Sequence, residues 1–137
     1  MSDRSPPPAT AHRSFLAFDF GTKRVGVATG NTLTRQASPL RTIAAEGDAR
    51  FAAIAAVIAE WQPAALVIGV PVHPDGLPHD NTVRARRFGR QLHGRFQLPV
   101  HEVDERYTTT EAHAMGAADV DAASAAIILE QFLRDTP

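Results

Sequence analysis

The pattern of apolar and polar positions divides the chain into short blocks. Ser14 to Phe20 (SFLAFDF) is apolar and aromatic and stops at Gly21, as a strand entering a tight turn does; Val25 to Thr29 (VGVAT) reads as a second strand. Together they predict a hairpin turning through Gly21-Thr22-Lys23-Arg24. Leu40 to Ile43 reads as a third strand, and Pro39, which cannot donate to a ladder, places it at a strand start or on a sheet edge. Between Asp48 and Trp61, the residues Phe51, Ile54, Ile58 and Trp61 recur at helical spacing, with Asp48 as N-cap and Pro63 beyond the end. Ala64 to Val70 (AALVIGV) is an unbroken apolar run, the signature of a strand buried on both faces at the centre of a mostly parallel sheet.

A Pro- and Gly-rich loop, PVHPDGLPHD, follows, after which Val83, Phe88, Leu92 and Phe96 outline a second helix capped by Asp80 or Asn81. Leu98 to Val103 reads as a further strand ending in Asp104-Glu105-Arg106. Thr108-Thr109-Thr110-Glu111 forms a capping box that opens a short helix closed by Gly116. Asp121 to Arg134 (DAASAAIILEQFLR) is a helix whose apolar first half demands burial. The order β-β-β-α-β-α-β-α-α predicts an α/β fold with a mixed sheet and helices on both faces. Residues 1–13, which carry Pro6-Pro7-Pro8, read as a disordered tail ahead of a single domain over residues 14–137.

A chain of 137 residues matches one domain, and the absence of cysteine excludes disulfides, thiolate metal sites and a cysteine nucleophile. A reducing compartment suits it, so a cytoplasmic location is expected. The longest apolar run, Phe51 to Ala59, is far short of the roughly 18 to 20 residues that span a bilayer, and the first residues hold no signal-peptide core. No membrane partner is expected. The net charge of −1 hides two opposed patches. Asn81 to Arg95 holds Arg84, Arg86, Arg87, Arg90 and Arg95 and no acid, whereas Glu102 to Asp121 holds Glu102, Asp104, Glu105, Glu111, Asp119 and Asp121 against Arg106 alone.

The candidate chemistry lies in acids at the ends of apolar elements: Asp19, the adjacent pair Asp104 and Glu105, and Asp121. Strand ends that share an edge of an α/β sheet share a crevice. Carboxylates gathered there repel, by about 4 kcal/mol for two unit charges 4 Å apart at an effective dielectric of 20, and so call for a cation. Oxygen-only ligation favours Mg²⁺ or Mn²⁺ over Zn²⁺, and two such ions would support in-line hydrolysis of a phosphodiester. Each acid also has a plainer role: Asp19 as a turn residue, Asp121 as an N-cap, Glu105 in a surface ion pair with Arg106. Likewise the arginine run is either a solvated helix face or a phosphate contact, and Lys23-Arg24 sits beside Asp19, where it can meet a phosphate. His73, His79 and His101 lack metal-ligand spacing.

Four motifs, DFGTKRVGVATG (Asp19 to Gly30), IGVPVHPDG (Ile68 to Gly76), VDERYTT (Val103 to Thr109) and VDAASAAIILEQFL (Val120 to Leu133), together resemble the YqgF family. Its members are nucleases assigned to pre-16S ribosomal RNA and are related to Holliday-junction resolvases. The resemblance implies an RNase H-like fold with a five-stranded mixed sheet flanked by helices. It also implies a catalytic divalent-metal site of Asp19, Glu105 and Asp121, and a hydrolase that processes the 5′ end of pre-16S RNA in ribosome biogenesis. Lys23, Arg24, Arg84, Arg87, Arg90 and Arg106 are the expected contacts to nucleic acid: structured RNA, or branched DNA as the alternative. A monomer or homodimer is expected. Family members carry a longer, basic stretch before the last helix; here Thr110 to Asp119 has no Lys or Arg, so the Arg84 to Arg95 helix must bear more of the binding. Two rival readings remain. Asp19-Phe20-Gly21-Thr22 also resembles the first phosphate loop of the actin and sugar-kinase ATPases, which clasp ATP between two such domains, and a non-catalytic ribosome-assembly protein would keep the acids for structure.

Overall fold

The computed structural model describes residues 13–71, 80–105 and 119–136. In chain order these form β1 (Ser14–Phe20), β2 (Val25–Asn31), β3 (Ala37–Ile43), α1 (Gly47–Trp61), β4 (Ala65–Pro71), α2 (Asp80–Phe96), β5 (Val100–Glu105) and α3 (Val120–Asp135). The five strands make one sheet in the order β3-β2-β1-β4-β5. Strand β2 runs antiparallel to both of its neighbours, β1 and β3, and β4 and β5 extend the sheet parallel to β1. The mixed sheet expected from the element order is therefore present. Residues 1–12 of the expected tail and the short helix of Thr108 to Gly116 lie outside the described residues, whereas Arg13, also assigned to the tail, exchanges hydrogen bonds with Thr32, just past the end of β2.

Strand alternation sorts the core into two layers. Leu16, Phe18, Leu66, Ile68 and Val70 join Phe51, Ile54 and Val57 of α1 and Phe88 and Leu92 of α2 on one face. Phe15, Ala17, Ala65, Val67 and Val103 meet Ile128, Leu129 and Leu133 of α3 on the other. Phe88 centres the first layer, with ring centroids 6.2 Å from Phe18, 5.2 Å from Phe20 and 6.0 Å from Phe51. Because helices cover both faces, β1 and β4 are both buried throughout their middles, but the central strand is β1, not β4.

Several local expectations are corrected. Helix α1 starts one residue earlier than Asp48, after Glu46, whose side chain makes no capping bond. Asp48 lies in the first turn, where its charge suits the helix dipole, and it pairs with Arg95 at 3.8 Å. Trp61 shares the apolar arc but ends the helix and is exposed. In α2, Asp80 and Asn81 are already helical, so its cap lies outside the described residues. The buried face of α2 is Thr82, Ala85, Phe88, Gly89 and Leu92, while Val83 is solvent-facing. Thr82 is tolerated there because its hydroxyl donates to the Pro71 carbonyl. Strand β5 starts two residues later than Leu98, the turn being made by Gln97 at φ 58°. Strand β3 begins at Ala37, on the sheet edge, and absorbs Pro39 with a shift of register between Val27 and Ala28.

Helix α3 is held at both ends. Its N-cap Asp119 accepts from the Ala122 amide at 3.0 Å and from the Thr42 hydroxyl of β3 at 2.6 Å. At its other end Arg35 donates to the Leu133 carbonyl at 2.6 Å and also to the carbonyl of Thr136, placing a cation at the negative pole of the helix. Between these ends the helix lies flat along β2. At Gly26 a Cβ would come 1.9 Å from the Asp121 carbonyl oxygen; at Gly30 one would lie 3.0 Å from Leu129 Cδ2. Gly26→Ala therefore has to lift backbone off backbone, and we expect it to destabilise by about 3 kcal/mol or more in urea unfolding. Gly94→Ala, in α2 with nothing within 4 Å of the added methyl, should instead stabilise by about 0.5 to 1 kcal/mol.

Candidate active site

Asp19 lies near the C-terminal end of β1, on the α3 face with Phe15 and Ala17, and its cross-strand partner is Gly26. Directly opposed residues share a face. The backbone of Asp121 sits on that same Gly26, so the first turn of α3 and the acid of the central strand meet at one spot. Two of the three acids expected to form a site are thus brought to a common edge. Strand β5 ends alongside, its last pair being Pro71 with Glu105; the Glu105 side chain and all of Arg106 lie outside the described residues. Asp104 falls on the opposite face, with Glu102, which pairs with Arg86 of α2, so of the two adjacent acids Asp104 is turned away from Asp19.

Asp121 is not the helix cap, since Asp119 fills that role. Its carboxylate pairs with Arg24 Nε at 3.1 Å, with the Asp121 side chain one-third exposed. The turn between β1 and β2 is thereby drawn across to α3, carrying exposed Lys23 along the rim. The donor chemistry fits a hard divalent cation: one acid comes from β1 and one from the first turn of α3, whose backbones meet at Gly26, and a guanidinium already meets the Asp121 carboxylate. Among the described residues no three His, Cys, Asp or Glu side chains form a ready metal cluster.

The turn is anchored by a residue that sequence reasoning missed. Arg50 of α1 is 5% exposed. Its Nε donates to the Ala45 carbonyl at 2.8 Å and its Nη2 to the Thr22 carbonyl at 3.1 Å, with the guanidinium 5.5 Å from the centroid of Phe20. Burial lowers its pKa from the ordinary arginine value, and the Glu46 carboxylate offsets part of that. A cation at a buried helical position gives no signal in an apolar pattern. Gly26, which the apolar pattern of β2 passes over, carries a signal of its own, because a glycine inside a strand marks a bulge or a close backbone approach.

The basic helix divides between roles. Arg86 pairs with Glu102 at 3.5 Å, and Arg95 pairs with Asp48 and lies 4.1 Å from the Phe51 centroid. Arg84, Arg87 and Arg90 are exposed and have no acid partner among the described residues. They belong to α2, on the face of the sheet opposite the α3 layer that Asp19 faces, and so are not beside the acids.

The sequence and the fold can be set beside known proteins. The model of a family described as RuvX, Holliday junction resolvase, matches residues 13–135. The chain belongs to this family. Among curated relatives, a protein of Albidiferax ferrireducens is 63% identical, over 98% of this chain and 89% of its own length. One of a Polaromonas species is 65% identical over the whole of both chains. Each bears the name "Putative pre-16S rRNA nuclease". Among solved structures, Thermus thermophilus RuvC in complex with a Holliday junction substrate superposes with a TM-score of 0.53 at 14% identity, covering 88% of this chain and 93% of that one. The RuvX chain thus has the RNase H-like resolvase fold.

Arg50→Lys tests the anchoring of the turn. Lysine's compact ammonium cannot span two carbonyls as the guanidinium fork does, so a loss of about 1 to 2 kcal/mol in urea unfolding is expected. Unchanged stability would show that the strap does not hold the turn.

Proposed function

We propose that the protein is a metal-dependent nuclease that hydrolyses phosphodiester bonds in structured RNA, acting on the 5′ end of pre-16S ribosomal RNA in ribosome biogenesis. The observation that carries this reading is the seating of Asp121 on Gly26, opposite Asp19, in a chain of the RuvX family. The names of the close relatives support the substrate. In this reading Asp19, Glu105 and Asp121 hold Mg²⁺ or Mn²⁺, which supplies Lewis acidity at the phosphate and lowers the pKa of the attacking water. Asp19, at the end of the central strand, and Asp121, in the first turn of α3, arrive from two rigid elements, so the carboxylates need little reordering when they act. Arg24, on the turn that Arg50 anchors, reaches Asp121 at this edge, and in this reading it and its neighbour Lys23 orient a phosphate oxygen. Arg84, Arg87 and Arg90 of α2, which meet no acid among the described residues, attract the backbone from the other layer.

The remaining properties belong to the same proposal: a single catalytic domain over residues 14–137, working in the cytoplasm as a monomer or homodimer. No helix among the described residues is long and apolar enough to cross a membrane. Branched DNA is the second substrate to test, because the family description and the RuvC fold both point to junction resolvases.

Incubating the purified protein with 5′-extended 16S precursor RNA and with a four-way DNA junction, in Mn²⁺ or Mg²⁺, tests this reading directly. The RNA should be cut. Asp19→Asn keeps the shape but removes ligand charge, so its rate should fall by more than the about 10 to 100-fold typical of losing an outer-shell partner, with RNA binding retained. Undiminished cleavage by Asp19→Asn would remove Asp19 from the site. Binding without cleavage by the parent protein would favour the non-catalytic assembly role, and cleavage of the junction alone would reassign the substrate.

A further inference from the structure

Beyond the acid edge, the groove between α2 and β5 has the chemistry of a phosphate seat. Arg86, Arg90 and His93 recur at steps of four and three residues along α2, so one flank of the helix carries them together. They line a cleft of about 550 Å³ whose other wall is β5, with Val100 and Glu102. Strand β5 ends the sheet on this side. Gly89 lets the helix sit low enough to form the cleft, since a Cβ there would lie 2.6 Å from Ile68 Cδ1. The His93 ring meets the Leu98 carbonyl through Nδ1 at 2.9 Å; a carbonyl only accepts, so Nδ1 carries the proton and Nε2 is left for another contact. Two guanidiniums thus face the single carboxylate among the lining residues, Glu102, which meets Arg86 at 3.5 Å.

We propose that this groove seats a backbone phosphate of a single nucleic-acid strand running to or from the acid edge, an inference that rests on the nuclease reading above. Charge complementarity selects the occupant: an arginine pair offers paired donors to a phosphate, and Arg90 is not engaged by any acid among the described residues. The cleft, open to solvent and of about 550 Å³, has room for the sugar and phosphate of one nucleotide against Gly89 and Val100. Position agrees as well. Glu102 lies three residues before the end of β5, about 10 Å along the strand, so a strand leaving the edge reaches the groove within a few nucleotides.

Fluorescence anisotropy of full-length Asp19→Asn protein with short single-stranded RNA, and with DNA of the same sequence, over a series of salt concentrations tests the seat. Adding Arg90→Ala should weaken binding by about fivefold or more and flatten the dependence of log affinity on log salt by about 0.7. Adding Glu102→Gln, nearly isosteric and exposed, should tighten binding by releasing Arg86 and removing the one repulsive charge. Arg134→Ala, which removes the same charge from the end of α3, should change affinity by less than about twofold. A response in either strand supports the seat. If Arg90→Ala weakens binding no more than Arg134→Ala, or if Glu102→Gln fails to tighten it, the groove assignment is overturned and the nuclease reading stands. If Asp19→Asn protein holds neither single strand, the seat is overturned; if it also fails to hold the 5′-extended precursor RNA in the same assay, the nuclease reading itself falls.

Discussion

Everything at the candidate site depends on how closely α3 lies on β2. Helix and sheet ordinarily pack through a layer of side chains, but at Gly26 the carbonyl of Asp121 rests where a Cβ would be. The buried face of α3 is built to match, with Ala122, Ala123, Ala125 and Ala126 before the larger Ile128 and Leu129. Small residues at the start of the helix bring its first turn down to the backbone of the sheet, and larger ones fill the space beyond. Asp121 is thereby delivered to the edge where Asp19 stands one residue before the end of β1. Such proximity concentrates negative charge, and the positive pole of the α3 N-terminus and the Arg24 guanidinium both oppose it.

The two faces of the sheet do different work. The α3 face is thin and close and carries the acid of the central strand. The α1 and α2 face is thick and aromatic, and from it Arg50 reaches to the Thr22 carbonyl to hold the turn that bears Lys23 and Arg24. A run of contacts therefore links α1 to the first turn of α3: Arg50 to Thr22, then along the turn to Arg24, then to Asp121. The arginines of α2 stand on this thicker side, so a strand that uses both them and the acids has to cross the sheet edge at β4 and β5.

How far the sequence anticipates this depends on what each residue does. Apolar runs bounded by turns located β1, β2 and β4 to within a residue or two, because burial on both faces leaves little alternative for such runs. The placement of Asp19 near the end of β1 and of Asp121 in the first turn of α3 is legible for the same reason: an acid at the end of a buried element has to face an edge. Trp61 and Val83 were misplaced because periodicity reports an arc and not whether anything covers it; Thr82, Ala85 and Gly89, small or polar, make the true contact of α2. Arg50 was invisible to the pattern, as its burial depends on two carbonyls brought from elsewhere in the chain. That Arg86 and Arg95 pair with acids, while Arg84, Arg87 and Arg90 meet none among the described residues, likewise depends on Glu102 of β5 and Asp48 of α1, which lie outside the local run.

In the proposed function, Asp19 and Asp121 act as one carboxylate site because α3 is seated on Gly26. Thermal melting of the parent, Asp19→Asn and Asp121→Asn, each in chelator and in millimolar Mn²⁺, tests it without any substrate. A ligand that binds only the folded state stabilises it by RT ln(1 + [L]/Kd), about 2.7 kcal/mol at a hundred times Kd, so Mn²⁺ should raise the melting temperature of the parent. Either substitution should remove most of that rise, and in chelator Asp19→Asn should melt above the parent because one of the repelling charges is gone. Equal Mn²⁺ shifts in all three proteins, with equal melting temperatures of parent and Asp19→Asn in chelator, would contradict a shared site.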